Sequence, residues 1–207
     1  MKANTSLKEK VYQDIIDSIV KGEFKGGQIL NEQELVKRYN VSKSPVREAL
    51  IVLSSQGILT NIPRCGYQVF SFTLQNVSNI MEFRAILEDY LLCQSIGSLQ
   101  PQHLQQLGKL IPHPSQQRDV WQHWDMNAQF HLKLASYAQN DYIYQQLQQA
   151  MAFLKLAYAQ FYWSQWSCTS IPDDLAHHQC ILECLKSQNL LLARQCLKED
   201  LANFCIQ

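Results

Sequence analysis

The sequence predicts a mainly α-helical protein in two parts: an N-terminal winged helix-turn-helix of three helices plus a β-hairpin wing, and a C-terminal antiparallel all-α helical bundle. Three observations carry this. Helix-opening patterns recur at Ser6, Asn31 and Ser42; two short strand-like runs flank a polar turn after Gly57; and beyond Thr73 the strand signals stop while helical periodicity continues.

Ser6-Leu-Lys-Glu9 has the spacing at which a hydroxyl and a carboxylate satisfy the free backbone donors of a helix start. Val11, Ile15, Ile16 and Ile19 continue that helix until Gly22 and Gly26-Gly27 stop it. Asn31-Glu-Gln-Glu34 repeats the pattern and opens a short second helix through Leu35 and Val36 to about Tyr39. After a tight turn at Asn40-Val41, Ser42 is placed to cap a third helix. Its first turn tolerates Pro45, because opening N–H groups have no intrahelical partner. Val46, Leu50 and Leu53 form its buried stripe and Gly57 ends it. Ile58-Leu-Thr60 and Tyr67-Gln-Val-Phe-Ser71 then read as two strands around the turn Asn61–Gly66.

In the second part helices are expected at 74–96, 102–111, 118–139, 141–167, 173–187 and 190–205. Pro101 and Pro172 occupy first-turn positions and His113-Pro114-Ser115 forms a loop. The change of class near residue 72 divides the chain into a domain of residues 1–72 and another of residues 73–207.

With 46% hydrophobic and 17% charged residues, the composition is that of an ordinary globular protein, and its apolar stretches are too short to span a bilayer. No membrane partner is expected. The N-terminal residues lack the apolar core of a secretory signal, so a cytoplasmic location is expected. The odd count of seven cysteines, with no close pair, then reads as small buried apolar side chains rather than disulfides. Formal net charge is zero, but residues 1–72 hold ten basic against seven acidic side chains, leaving eight against eleven in the remainder. The basic excess is N-terminal, where a nucleic-acid partner would need it.

A helix-turn-helix offers the N-terminal part of its second helix to the major groove. Lys43 and Arg47 lie four apart on that helix, opposite Val46, Leu50 and Leu53, and Arg47 suits a bidentate contact to guanine. Ser42 and Ser44 can bond phosphates, and Arg64 and Gly66 at the wing tip can approach the minor groove. The alternative is a solvated face, with Arg47 paired to Glu48 or Glu34.

The second part carries polar groups on apolar helix faces. Asn127 and His131 share a face with Leu134 and Ala138; His178 shares one with Ile181, Leu182 and Leu185; Asp200 lies between Leu197 and Phe204. Buried polar groups need partners. A divalent cation held between helices satisfies several at once, and a hydrogen-bonded cluster pairing Asp200 with a histidine is the alternative. Arg84 shares a stripe with Ile80, Leu87 and Leu91; its anion is either Glu88 one turn away or a carboxylate on a bound effector. Tyr158, Phe161, Tyr162, Trp163 and Trp166 crowd one helix, and Tyr158 or Tyr162 is a candidate lining for an effector cavity. No HExxH motif or nucleophile elbow is present, so a metal-dependent hydrolase with an appended DNA-binding module, using His131 and His178 to activate water, is the weaker reading.

The segment Leu30 to Val69, above all Val41-Ser-Lys-Ser-Pro-Val-Arg-Glu-Ala-Leu50 with Gly57 and Gly66, resembles the GntR superfamily of bacterial regulators. The second half resembles its FadR-type branch, whose helical effector domain is called FCD. The resemblance implies a homodimeric transcription regulator, not an enzyme, that sits on a pseudo-palindromic double-stranded DNA operator. It further implies a repressor released by a metabolite, which Arg84 would suit as a small carboxylate. Many relatives hold a divalent metal such as Zn, Ni or Mn through one Asp and three His. In this chain Asn127 stands where that Asp is usual, and Asp200 where the last His is expected.

Overall fold

A computed structural model describes residues 6–111, 119–162 and 175–202 of the chain. Two compact units emerge, one made of Met1–Thr73 with Leu156–Ser164, the other of Leu74–Lys155 with Gln165–Gln207.

In the first unit, α1 (Leu7–Val20) opens with the Ser6/Glu9 capping box and buries Val11, Ile15 and Ile19. A two-residue strand β1 (Ile29–Leu30) leads to α2 (Glu32–Tyr39), whose N-cap Asn31 accepts from the Gln33 N–H. Asn40 turns the chain in the left-handed region at φ 50°, a conformation that Asn tolerates better than most residues. Helix α3 (Lys43–Ser55) buries Val46, Ala49, Leu50 and Leu53, which are 0% exposed, and packs against α1. Each Leu or Val so buried stabilises the fold by about 1.5–3 kcal/mol. Strands β2 (Leu59–Ile62) and β3 (Gly66–Val69) form the wing, and the antiparallel sheet has the order β1-β3-β2. Gln160 also belongs to this unit: its side chain donates to the Phe70 carbonyl at 2.7 Å and accepts from the Phe72 N–H at 3.1 Å.

Three expectations change here. Ser42 stands at the N-cap of α3 with extended backbone and is exposed, but makes no side-chain cap bond. The second wing strand ends at Val69 rather than Ser71, because Phe70 bonds back to the Ile58 carbonyl outside the ladder. The strand β1 was not foreseen, since two residues show no alternation and it exists only through pairing of Ile29 with Gln68 and Leu30 with Tyr67.

The second unit starts with α4 (Leu74–Ser95), a single 3₁₀ turn at Ile96–Ser98, and α5 (Pro101–Gly108) with its proline in the first turn. Helix α6 (Val120–Ser136) opens with an Asp119/Gln122 capping box. Helix α7 (Asp141–Tyr162) follows, then α8 (Leu175–Lys186) and α9 (Leu190–Ala202). Leu91, Ala135, Leu147 and Met151 form a core cluster from α4, α6 and α7. Helix α4 packs on α6 and α9, and α8 pairs with α9. The stripe of α4 is rotated from the expected one: Val77, Met81, Arg84, Glu88, Leu91 and Leu92 are buried, whereas Ile80 and Leu87 are half-buried, so Glu88 lies inside. Trp163, Trp166, Pro172, Phe204 and the 113–115 loop fall outside the described residues.

The cysteines also depart from expectation. Cys180 on α8 and Cys196 on α9 form a disulfide with Cα atoms 6.1 Å apart. They are 16 residues apart, so no short spacing motif announced the pair; the α8–α9 hairpin brings them together. Among the described residues Cys65, Cys93 and Cys184 are free thiols, and Cys184 is buried.

Candidate functional site

The face of the first unit bears the basic residues. Lys43, Arg47, Arg64 and Gly66 line one depression of about 380 Å³ between α2, α3 and the wing, together with Glu32 and Tyr67. Lys43 approaches Glu32 at 3.7 Å but remains largely exposed, so this link is a weak surface pair. Arg47 is exposed and forms no ion pair among the described residues; Glu48, one candidate partner, accepts instead from the Ser44 hydroxyl at 2.7 Å. Ser42 and Ser44 are exposed on the same helix turn but outside that depression. Arg64 holds a left-handed φ of 66° at the tip of the turn. Gly66, at φ 134°, has a structural duty: a Cβ there would lie 2.5 Å from the Leu30 carbonyl oxygen, so the close approach of β1 to β3 excludes any side chain.

The second unit buries a chain of polar and ionisable groups drawn from four helices. Arg84 and Glu88 come from α4, Asn127 and His131 from α6, His178 from α8 and Asp200 from α9, and all are at most 5% exposed. The Arg84 Nε donates to Glu88 Oε1 at 2.5 Å, and Glu88 Oε2 meets His131 Nδ1 at 2.5 Å. On the other side of the ring, His131 Nε2 lies 2.9 Å from Asp200 Oδ2 and 3.2 Å from His178 Nε2. His178 Nε2 is 3.6 Å from Asp200 Oδ1 and 3.3 Å from Asn127 Nδ2, and its ring stacks on Phe130 at 4.2 Å. His131, His178 and Asp200 each turn a ligand atom to a common point, all within 4.8 Å of one another.

Burial alone would raise the Glu88 carboxyl, but the charges of Arg84 and then His131 outweigh it and hold the group down to about 2. Burial likewise would lower the His131 imidazole, but the Glu88 and Asp200 carboxylates on its two nitrogens lift it to about 9.

All four candidate metal residues converge, as does Arg84. Both modest alternatives are also realised: Asp200 pairs directly with His131, and Arg84 takes Glu88 as its anion. Among the described residues Arg84 is nonetheless incompletely satisfied, because neither of its buried Nη atoms has a hydrogen-bond partner there, and neither Asp200 oxygen has one by hydrogen-bond geometry. Sequence reasoning saw Glu88 only as a partner of Arg84. Its second contact, to His131, had no local signal, since those residues are 43 apart. His123, buried one turn before Asn127, was also missed, although the four-residue spacing to Asn127 and His131 pointed to it. Tyr158 is buried, but from Leu156 onward α7 groups with the first unit rather than with this cluster, and the Tyr162 side chain lies outside the described residues.

A basic recognition helix beside a β wing, carried by a chain whose remainder is a helical bundle with a buried polar centre, defines the class of DNA-binding transcription regulators. Residues 7–69 match the gntR family of bacterial regulatory proteins and residues 79–203 match the FCD domain. The chain belongs to the gntR family, in the branch carrying an FCD effector domain, and is a transcription regulator. It is 26% identical over 191 residues to the HTH-type transcriptional regulator YdhC of Bacillus subtilis, covering 89% of this chain and 83% of that protein. It is 24% identical over 203 residues to the HTH-type transcriptional repressor GlaR of Escherichia coli, covering 92% and 90%. Among solved structures, E. coli McbR/YncC shares the fold at a TM-score of 0.76 with 21% identity, covering 95% of this chain and 94% of that one. These relatives are regulators, and nothing in the comparisons supports the hydrolase alternative. No helix among the described residues is long and apolar enough to cross a membrane.

Proposed function

We propose that this protein is a cytoplasmic, homodimeric repressor whose residues 1–72 read a pseudo-palindromic operator and whose residues 73–207 sense a small carboxylate, without catalysis. The observation that carries the sensing half is the buried cluster around His131, with the Arg84 Nη atoms unsatisfied beside it among the described residues. A free guanidinium edge in a buried place suits the bidentate geometry of a carboxylate. In the DNA-reading half, Arg47 takes a base edge, Lys43, Ser42 and Ser44 take phosphates, and Arg64 reaches the minor groove while Gly66 lets the wing fold close. The repressor sense follows the printed description of GlaR.

The donor chemistry fits a divalent ion of the Zn, Ni or Mn kind. His131 Nε2, His178 Nε2 and Asp200 would hold it, with the Asn127 amide oxygen after a flip of that side chain. Glu88 on His131 Nδ1 is the outer carboxylate that commonly fixes the tautomer of a ligating histidine. When bound, the ion supplies positive charge toward an effector carboxylate. Dimerisation is supported by a groove of about 650 Å³ between α4 and α9, where Ile86 and Leu191 are 68% and 81% exposed. Apolar surface of that kind favours a protein partner, and a second copy supplies the second half-site reader.

Two measurements test this. Elemental analysis of the purified protein should find about one ion per subunit, lost in a His131→Ala, His178→Ala double variant; metal-free wild-type protein that is well folded contradicts the metal assignment. Calorimetric titration with mono-, di- and tricarboxylates should show binding by wild type that Arg84→Lys weakens, since lysine keeps the charge for Glu88 but loses the fork. Equal binding by both would remove Arg84 from the site.

A further inference from the structure

A second cluster of soft donors lies in the same bundle, apart from the imidazoles. Cys180 and Cys184 are four apart on α8, so their side chains share a helix face, and Cys196 meets them from α9. The three sulfur atoms all lie within 4.8 Å of one another. A disulfide staple needs two sulfurs. Here a third, from buried Cys184, points to the same spot without bonding to either. Three sulfur donors from two packed helices make the ligand set preferred by thiophilic ions, which hard oxygen-seeking cations do not favour.

We propose that Cys180, Cys184 and Cys196 form a three-thiolate site for a soft metal ion of the Zn, Cd or Cu(I) kind, with the Cys180–Cys196 disulfide as its oxidised, metal-free form. Conversion of one form to the other balances with a small-molecule thiol as reductant. Two such thiols supply two electrons and two protons, the Cys180–Cys196 bond breaks to give two thiols, and the reductant leaves as its own disulfide. A soft metal ion, Zn(II), Cd(II) or Cu(I), then binds all three sulfurs as thiolates, and their three protons leave to solvent. Helices α8 and α9 also carry His178 and Asp200, so an ion on the sulfurs fixes the two helices that present those donors. The inference stands whether or not the imidazole cluster binds metal.

The test is an ultraviolet titration of the full-length, thiol-reduced protein with Cd(II), following the thiolate-to-metal charge-transfer absorbance that imidazole and carboxylate ligands do not produce. A chain carrying Cys65→Ser, Cys93→Ser, Cys168→Ser and Cys205→Ser isolates the three sulfurs. It should saturate at one equivalent, and so should the same chain with His131→Ala and His178→Ala. Adding Cys184→Ser should abolish stoichiometric saturation, and adding Cys180→Ser, at a half-buried position less exposed to folding effects, should do the same. Absence of the band in the four-serine chain overturns the proposal. So does its persistence after Cys184→Ser or Cys180→Ser, which would leave a plain two-sulfur contact.

Discussion

The Glu88 carboxylate meets the His131 ring at 2.5 Å inside the bundle, with its other oxygen on the Arg84 guanidinium. One side chain thereby joins the candidate effector anchor to the candidate metal ligands, and all three residues are buried. Glu88→Gln keeps the shape but removes the anion from between two cations. Breaking a buried pair on one side costs about 3–5 kcal/mol. Urea unfolding of the variant should show a loss of that order, and an unchanged midpoint would mean that Glu88 carries no charge in the folded protein.

The same pairings set a pH profile for the metal-free protein. Folded His131 stands at about 9, above its ordinary 6.5, so the stability it contributes is complete below pH 6.5 and is lost as pH rises through about 9. Folded Glu88 stands at about 2, below its ordinary 4.5, so its contribution is complete above pH 4.5 and is lost as pH falls through about 2. Stability measured by urea unfolding should decline on both sides of that interval, and Glu88→Gln should flatten both declines. A wild-type profile no different from that of the variant would contradict the pairings.

If Arg47 takes a base edge, as proposed, Arg47→Ala should lower the discrimination between an operator and random DNA by about 1–3 kcal/mol per half-site. Lys43→Ala should instead weaken binding to all sequences and lower the slope of log affinity against log salt by about one. Preserved discrimination in the first variant, or an unaltered slope in the second, would exchange or cancel these roles.

Gly66→Ala places a methyl 2.5 Å from the Leu30 carbonyl at a φ that side chains avoid. The wing should detach from β1, with a stability loss of about 1–3 kcal/mol seen in thermal unfolding. Wild-type stability in this variant would show that β1 pairs only weakly with β3.

The residues that made the fold legible were local ones. The Ser6/Glu9 box, the Val46-Leu50-Leu53 stripe and Pro101 in a first turn each act within one helical turn, so sequence spacing reports them directly. The inward direction of Asn127, His131, His178 and Asp200 was legible for the same reason, because each shares a face with apolar neighbours. Contacts across long separations were not. The Cys180–Cys196 bond depends on how two helices pair, and the Glu88–His131 contact on a rotation of α4 that turned Leu87 partly outward and Glu88 in. Strand β1 is too short to carry a pattern of its own.

As proposed, a carboxylate bound beside Arg84 and His131 changes how tightly the protein holds DNA. The most direct test of this central claim is fluorescence anisotropy on a duplex selected by the protein from random sequence, with each member of a carboxylate series added in turn. At least one carboxylate should change the affinity of wild type by about five- to 150-fold, and should leave Arg84→Lys unaffected while that variant still binds the duplex. A carboxylate that binds the protein by calorimetry yet leaves wild-type DNA affinity unchanged would contradict the claim, and so would an equal response from both proteins.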